Sequence, residues 1–447
     1  MQNVKVIIGA SYGDEGKGLA TDFFAANRGR RDIINVLTNG GPQRGHTVEL
    51  ADGRNHVFKH FGAASFRGAA SYYAPQFMVN PMEFIREFDV LRDMHALPES
   101  YMHPDCRFTT PWDMLINQQI LTQKGIHNSC GFGIWETVLR YDRGYGVPFR
   151  VLAAMERDDR IKYLRQLRDT YFAKRLSEVK IENPPAFFYS DDLLFHFEED
   201  CESVRYLCPM RGEEFLGHYQ TILFENAQGL KLDGNAKEEQ DFTTPSTTGV
   251  GRILQTVERV LQGADVEVCY VTRSYLTRHG DGSMENELTQ DALRRKMPGI
   301  RPDATNVENR FQGILRYGMM DVDLLAARIE ADFAQCRGVR ANGALQQGIR
   351  SDDALRQRAR ADCTLQQGKS GDGAQQQETQ TGGVPRQGIQ TDHGQRRRTA
   401  RNHYHPSVMV THMNEFAGID TDRLTERFGT LYLSDGKTDR DVITASA

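Results

Sequence analysis

No two of the seven cysteines, at 106, 130, 201, 208, 269, 336 and 363, stand in a C-x-x-C pair. That absence excludes the usual spaced zinc sites and offers no disulfide framework. A reducing, cytoplasmic setting is expected. No apolar run is long enough to span a bilayer, so a membrane role is not expected. Met1 leads straight into a strand-like run, and no signal peptide is expected. Strong charge of either sign is missing too, since 447 residues carry a formal −5. That length suits one large α/β domain or two ordinary ones.

Aromatic residues are absent from Cys336 through His403. Written in tens from Cys336, this stretch reads CRGVRANGAL, QQGIRSDDAL, RQRARADCTL, QQGKSGDGAQ, QQETQTGGVP, RQGIQTDHGQ, RRRTARNHYH. It is a degenerate decapeptide repeat, rich in Gln, Arg, Gly and Asp, with few aliphatic side chains. Such a composition buries too little apolar surface to offset chain entropy. Twelve basic residues against six acidic give it +6 and leave −11 for the remainder. A disordered insertion over 336–405 is expected. A basic arm for nucleic acid or a partner is the alternative. A solenoid is disfavoured, because a period of ten with so few aliphatics builds no core.

Outside the repeat, strand-like runs alternate with helical ones. Val4–Ile8, Ile33–Leu37, Thr221–Glu225, Val266–Val271 and Val408–Thr411 read as strands. Pro81–Met94, Ile161–Lys180, Val250–Gln262 and Val322–Phe333 read as helices. The alternation predicts an α/β fold: a central, mainly parallel sheet flanked by helices. Ligands of such sheets sit at the carboxyl ends of the strands.

Two glycine-rich stretches follow early strands. GASYGDEGKGLATDFF, Gly9 to Phe24, leads from the first strand into a helix expected to be amphipathic. It is like a phosphate-binding loop with altered spacing: Gly9 and Gly16-Lys17 enclose six residues, and Gly18 replaces the hydroxyl residue. Amides of such a turn bind anions, and Lys17 adds a point charge. The carboxylates of Asp14 and Glu15 make sense there if a metal lies between Asp14 and phosphates, or if one is a base. TNGGPQRGHTVEL, Thr38 to Leu50, is the second stretch. Its glycines bring backbone close to a ligand, and His46 directly after them is a catalytic candidate.

Together these stretches resemble the adenylosuccinate synthetase family, whose hallmarks are G-D-E-G-K-G and G-G-x-x-x-G-H-T. Further similar segments are HNSCGFGIWET (His127 to Thr137), FENAQGLKLD (Phe224 to Asp233), TTPSTTGV, YLTRHGDGSMENE (Tyr275 to Glu287) and LRYGMMD (Leu315 to Asp321). The resemblance implies a catalytic domain over 1–335 and 406–447. It implies that Asp14 takes the N1 proton of a 6-oxopurine, and that His46 is the acid in phosphoryl transfer to O6. Aspartate then displaces the 6-phosphoryl group. Gln228 would bond the purine edge. Gly13, Glu15, Gly16, Lys17 and Gly18 would hold the nucleoside triphosphate, and Asn414, Ser434 and Gly436 its base. Gln43, Ser129, Cys130, Thr243 and Arg143 would hold the monophosphate, with Arg143 reaching into a homodimer neighbour. Thr305 and Arg316 would bind aspartate. Magnesium would sit on Asp14 and the Gly45 carbonyl.

The departures from the family pattern are specific. The base-reading T-K-x-D is here Thr411-His412-Met413-Asn414. An amide cannot accept both guanine donors as a carboxylate does, which favours ATP or dATP over GTP. The arginine-rich aspartate loop is reduced to Arg316, and Ile314 stands where an arginine near the ribose is expected. These changes, with TTPWDMLINQ at Thr109 to Gln118, resemble the phage and archaeal branch that joins aspartate to dGMP for 2-aminoadenine DNA. Asp14 is retained where many phage members have serine, so IMP with GTP or ATP stays open. An inactive nucleotide-binding protein is the third reading.

Overall fold

Strands buried on both faces read as unbroken apolar runs, and these runs form the middle of a nine-stranded sheet. Its order is Val442–Ser446, Thr430–Ser434, His403–Thr411, Asp265–Arg273, Asn3–Gly9, Thr221–Gly229, Ile33–Leu37, Ala70–Tyr73, Ser100–Met102. All neighbours are parallel except the edge strand Val442–Ser446, which runs antiparallel to Thr430–Ser434. The structure is a computed structural model and describes residues 1–26, 32–125, 127, 129–235, 242–300, 311, 313–342 and 401–446, with backbone only at 339–342. Thr305 and most of the repeat, 343–400, lie outside the described residues. Both ends of the 336–405 stretch belong to regular elements: a helix runs Val322–Asn342, and a strand begins at His403. Among the described residues, no helix is long and apolar enough to cross a membrane.

The five expected strands are all present and mostly longer, with Ile33–Leu37 matched residue for residue. Helices cover both faces. On one face Ile253, Leu254, Leu325, Ile329, Leu424 and Phe428 pack on Val4, Val6, Val268 and Val410. On the other, Ala20, Phe24 and Ala25 pack on Ile7, Leu223, Cys269 and Met409. A third cluster, with Trp112, Phe149, Leu164, Phe172 and Phe197, is built by the helices between the strands Ser100–Met102 and Thr221–Gly229.

Two helix expectations need correction. The helix after the first loop, Lys17–Ala25, is not amphipathic: eight of its nine residues are buried, between the sheet and the hairpin His46–Glu49/Asn55–Phe58. The expected Ile161–Lys180 helix begins earlier and changes pitch. It runs Arg157–Leu167, passes through a π-helical turn at Arg168–Phe172, and finishes as Ala173–Glu178. The π turn inserts an extra residue into the ladder, and Arg168 uses it to donate to the carbonyl of Tyr189 and to pair with Asp191.

One buried ion pair fixes the segment that frames the site. Thr110 and Asp113 form a capping box, with Pro111 in the first turn, and start the helix Pro111–Lys124. Asp113 also accepts from Arg140 in the next helix, and both side chains are fully buried. Gly133 (φ 72°) lies against the Asp113 backbone, where a Cβ would approach to 2.6 Å. Arg140→Met is therefore expected to cost about 3–5 kcal/mol, because it strands a buried carboxylate. Urea unfolding of the variant beside the wild type measures it, and a loss under about 1 kcal/mol would show that Asp113 does not depend on Arg140.

Candidate active site at the carboxyl ends of the central strands

The loop leaving the first strand turns through three positive-φ residues, Gly13 (93°), Asp14 (59°) and Gly16 (92°). This turns backbone N–H groups inward, as an anion site needs. Glu15 takes them. Its buried carboxylate accepts from Ser11 N (3.0 Å) and Gly13 N (2.8 Å) and pairs with Lys17 Nζ (2.7 Å). Two of the triphosphate donors expected from sequence, the Gly13 amide and Lys17, are thus engaged by a side chain of the loop itself. Thr411 at the end of its strand donates to the Glu15 carbonyl (2.8 Å), and Arg273 Nε donates to that of Asp14 (2.6 Å). Gly18 has a packing reason: a Cβ there would collide with the Thr47 carbonyl. The hydroxyl of an ordinary phosphate loop has no room.

Asp14 projects from this left-handed turn with a half-buried side chain. Its Oδ2 faces His279 Nε2 at 3.5 Å, and among the described residues it has no other ion pair. Gly45, whose carbonyl is the second expected metal ligand, is exposed. Carboxylate and carbonyl oxygens are the donors Mg²⁺ prefers, so the residues present fit that ion. Gln228 sits across the loop from Gly13. Between Ile7 and Gly9 the strand register slips, so that Ile8 faces three residues, Asn226 to Gln228. The bulge puts Gln228 at φ 65°, and a Cβ on Gly13 would lie 3.9 Å from its Cα.

His46 begins the hairpin beside the loop, 6 % exposed. Its Nδ1 meets the Glu225 carboxylate and lies 2.8 Å from Arg44 Nη2, and Arg44 pairs with the same carboxylate. Burial, then the Arg44 cation, pull the imidazole down to about 4, against the opposing pull of Glu225. Burial alone would raise Glu225. Arg44, His46 and the N–H of Ala63 outweigh it and hold Glu225 at about 2. At neutral pH the group is a carboxylate, a guanidinium and a neutral imidazole.

The monophosphate candidates divide. Ser129 and Gly133 N both reach Asn117 Oδ1 at 3.2 Å, and Cys130 Sγ contacts the Gln43 carbonyl at 3.8 Å. Burial and nearby Asp14 push the Cys130 thiol up to about 12. The Gln43 amide is buried with neither atom hydrogen-bonded among the described residues. Thr243 is buried, its carbonyl accepting from Trp135 Nε1 (3.2 Å). Arg143 caps its helix and pairs with Glu178 at 2.7 Å, both partly exposed. Arg316 is spoken for within the chain: it donates to Gly280 O and Gly282 O and pairs with Glu287. It shapes the 280–282 turn. Asn414 is exposed, next to Met413, whose N–H bonds the Ser434 carbonyl (3.0 Å). Ser434 Oγ donates to Gly436 O (3.0 Å), so the two expected base-contact segments adjoin.

Sequence reasoning missed Glu225, Arg44, Arg273 and His279. Glu225 stood in the quoted FENAQG run, and His279 in YLTRHGDG. Only the fold brings them to His46 and Asp14, across sequence separations of well over one hundred residues.

The family model described as adenylosuccinate synthetase matches residues 6–332. An adenylosuccinate synthetase of Acaryochloris marina is 26 % identical over 302 residues, covering 64 % of this chain and 63 % of that protein. That of Thermoplasma volcanium is 22 % identical over 338 residues, 73 % and 72 %. That of Borrelia duttonii is 25 % identical over 236 residues, 52 % and 52 %. The chain thus spans between about half and three quarters of these curated relatives. Two solved structures share the fold. The fully ligated adenylosuccinate synthetase from Plasmodium falciparum gives a TM-score of 0.56 at 18 % identity, covering 72 % of this chain and 73 % of that one. The cyanophage S-2L succinoaminodeoxyadenylate synthetase, bound to dGMP and dATP as an energy donor, gives 0.53 at 13 % identity, covering 99 % and 95 %. With the family model spanning most of its length, the chain belongs to the adenylosuccinate synthetase family.

Proposed function

We propose that this chain is a carbon–nitrogen ligase that joins L-aspartate to C6 of dGMP through a 6-phosphoryl intermediate, with ATP or dATP as donor. The observation that carries the reading is the meeting of Asp14, Gln228 and the His46–Glu225–Arg44 group around the first loop. Asp14 would accept the N1 proton as O6 attacks the γ-phosphoryl group. Gln228 would orient the purine edge from its bulge. His46 is neutral in the free chain. Phosphate dianions beside it would raise its pKa, and an imidazolium held at Nδ1 by Glu225 would present Nε2–H to the transferring oxygen. Bound Mg²⁺, held by Asp14 and the Gly45 carbonyl, would neutralise phosphate charge. Lys17 and the loop amides would exchange Glu15 for phosphate oxygens. In a homodimer, Arg143 would exchange Glu178 for the neighbour's monophosphate. The repeat is read as an insertion outside this chemistry.

Several observations support dGMP with an adenine donor. The fold match over nearly the whole chain is to the cyanophage enzyme solved with dGMP and dATP. Asn414 replaces a carboxylate at the base-reading position, and Ile314, 51 % exposed, replaces an arginine. The second reading, IMP with GTP or ATP, is favoured by the retained Asp14 and by the names of the curated relatives.

Phosphate release with magnesium and aspartate, crossing dGMP or IMP with ATP or GTP, tests the pair. Turnover is expected with dGMP and ATP; turnover with IMP alone selects the second reading. His46→Ala should lower kcat by about 10²–10⁴ while nucleotide binding, measured by calorimetry, persists. Near-normal turnover would remove His46 from the chemistry. Asn414→Asp should shift the ratio of kcat/KM values toward GTP by an order of magnitude, roughly the worth of a charge-assisted hydrogen bond. An unchanged ratio would mean that position 414 does not read the base.

A further inference from the structure

We infer that Asp265, His403 and His405 form a binding site for a divalent transition metal, at the opposite end of the sheet from the nucleotide loops. His403 and His405 are two apart on one strand and so share a face. Asp265 is the direct partner of His403 on the neighbouring parallel strand. One ligand atom from each residue lies within 4.8 Å of the others. His403 Nδ1 and His405 Nε2 stand 3.1 and 3.6 Å from the same carboxylate oxygen, Asp265 Oδ1. Ligands about 2.0–2.1 Å from a tetrahedral zinc stand about 3.3 Å apart, so both spacings are close to those of a metal-bound set.

The chemistry selects the ion class. Two imidazoles and a carboxylate suit Zn²⁺, Co²⁺ or Ni²⁺ rather than Mg²⁺, which prefers oxygen. Asn3 is the register partner of Asp265 on the next strand, and its Oδ1 is buried without a hydrogen-bond partner among the described residues. It is an oxygen in the same row. Lys5, in the same row as His405, is already paired with Glu267. Both ligand-bearing strands are nine residues long. At about 3.3 Å per residue, some 26 Å of sheet separates these ligands from the catalytic loops. A metal here would clamp the starts of two strands, one of which begins within the last unit of the repeat, and would take no part in the ligase chemistry.

Zinc chloride titrated into the full chain, against a chromophoric competitor chelator and with magnesium present throughout, tests the site. One tight equivalent is expected, weakened by at least about tenfold in His403→Asn and in His405→Asn. Asp265→Asn should weaken it likewise. Both histidines are partly or largely exposed, so circular dichroism should show the variants folded. Zinc should also raise the melting temperature of the wild type and not of the His403→Asn/His405→Asn double variant. Zinc held equally well by that double variant would assign the ion to other ligands and overturn the site. Failure of the wild type to bind zinc would overturn it too.

Discussion

Removing a carboxylate from water is unfavourable unless opposite charge and donors surround it. Glu225 is wholly buried in the middle of the sheet, and its compensation comes from two separate pieces of chain. Arg44 and His46 reach it from the turn and hairpin after the strand Ile33–Leu37, and Ala63 N–H reaches it from the segment beyond the hairpin. The glycine-rich turn, the hairpin and the central strand are therefore held to one another by a single charge. Loss of Glu225 would leave Arg44 buried and uncompensated, a far larger perturbation than the loss of one hydrogen bond. The backbone above it depends on similar stitching. Thr38 Oγ1 donates to Asn226 Oδ1, and Asn39 exchanges bonds with Ala227 on both sides of its amide.

Much of the fold was legible because its strands are buried on both faces. Ile33–Leu37 is four aliphatic residues around one asparagine, with turn formers beyond. Boundaries were legible where caps are strong, as at Asn80-Pro81. Where the structure departs, a tertiary contact is responsible. The Lys17–Ala25 helix lost its expected polar face because Lys17 and Asp22 are buried against Glu15 and Arg67. The bulge before Gly229 has no sequence mark apart from its glycine.

The candidate site was half legible. Asp14, Lys17 and His46 stand beside glycines that force the chain to turn, and composition alone draws attention to them. Their partners do not. Glu225 and His279 belong to strands, and a polar residue on a strand gives no hint of what it faces across the fold. Arg316 shows the converse. It is an arginine in the expected neighbourhood, yet its guanidinium is filled by two carbonyls and a carboxylate of the same chain.

Glu15 gives the first loop an anion of its own. A loop so supplied has two of its N–H groups, those of Ser11 and Gly13, satisfied without a ligand. In the proposed reaction an incoming polyphosphate would meet an occupied seat. Its measured affinity would be the difference between two anions competing for one set of donors, far smaller than the sum of the contacts it makes. Release would be assisted in the same measure, since the carboxylate is tethered two residues from the lysine it would reclaim. In the proposed ligase such a loop would trade grip for turnover.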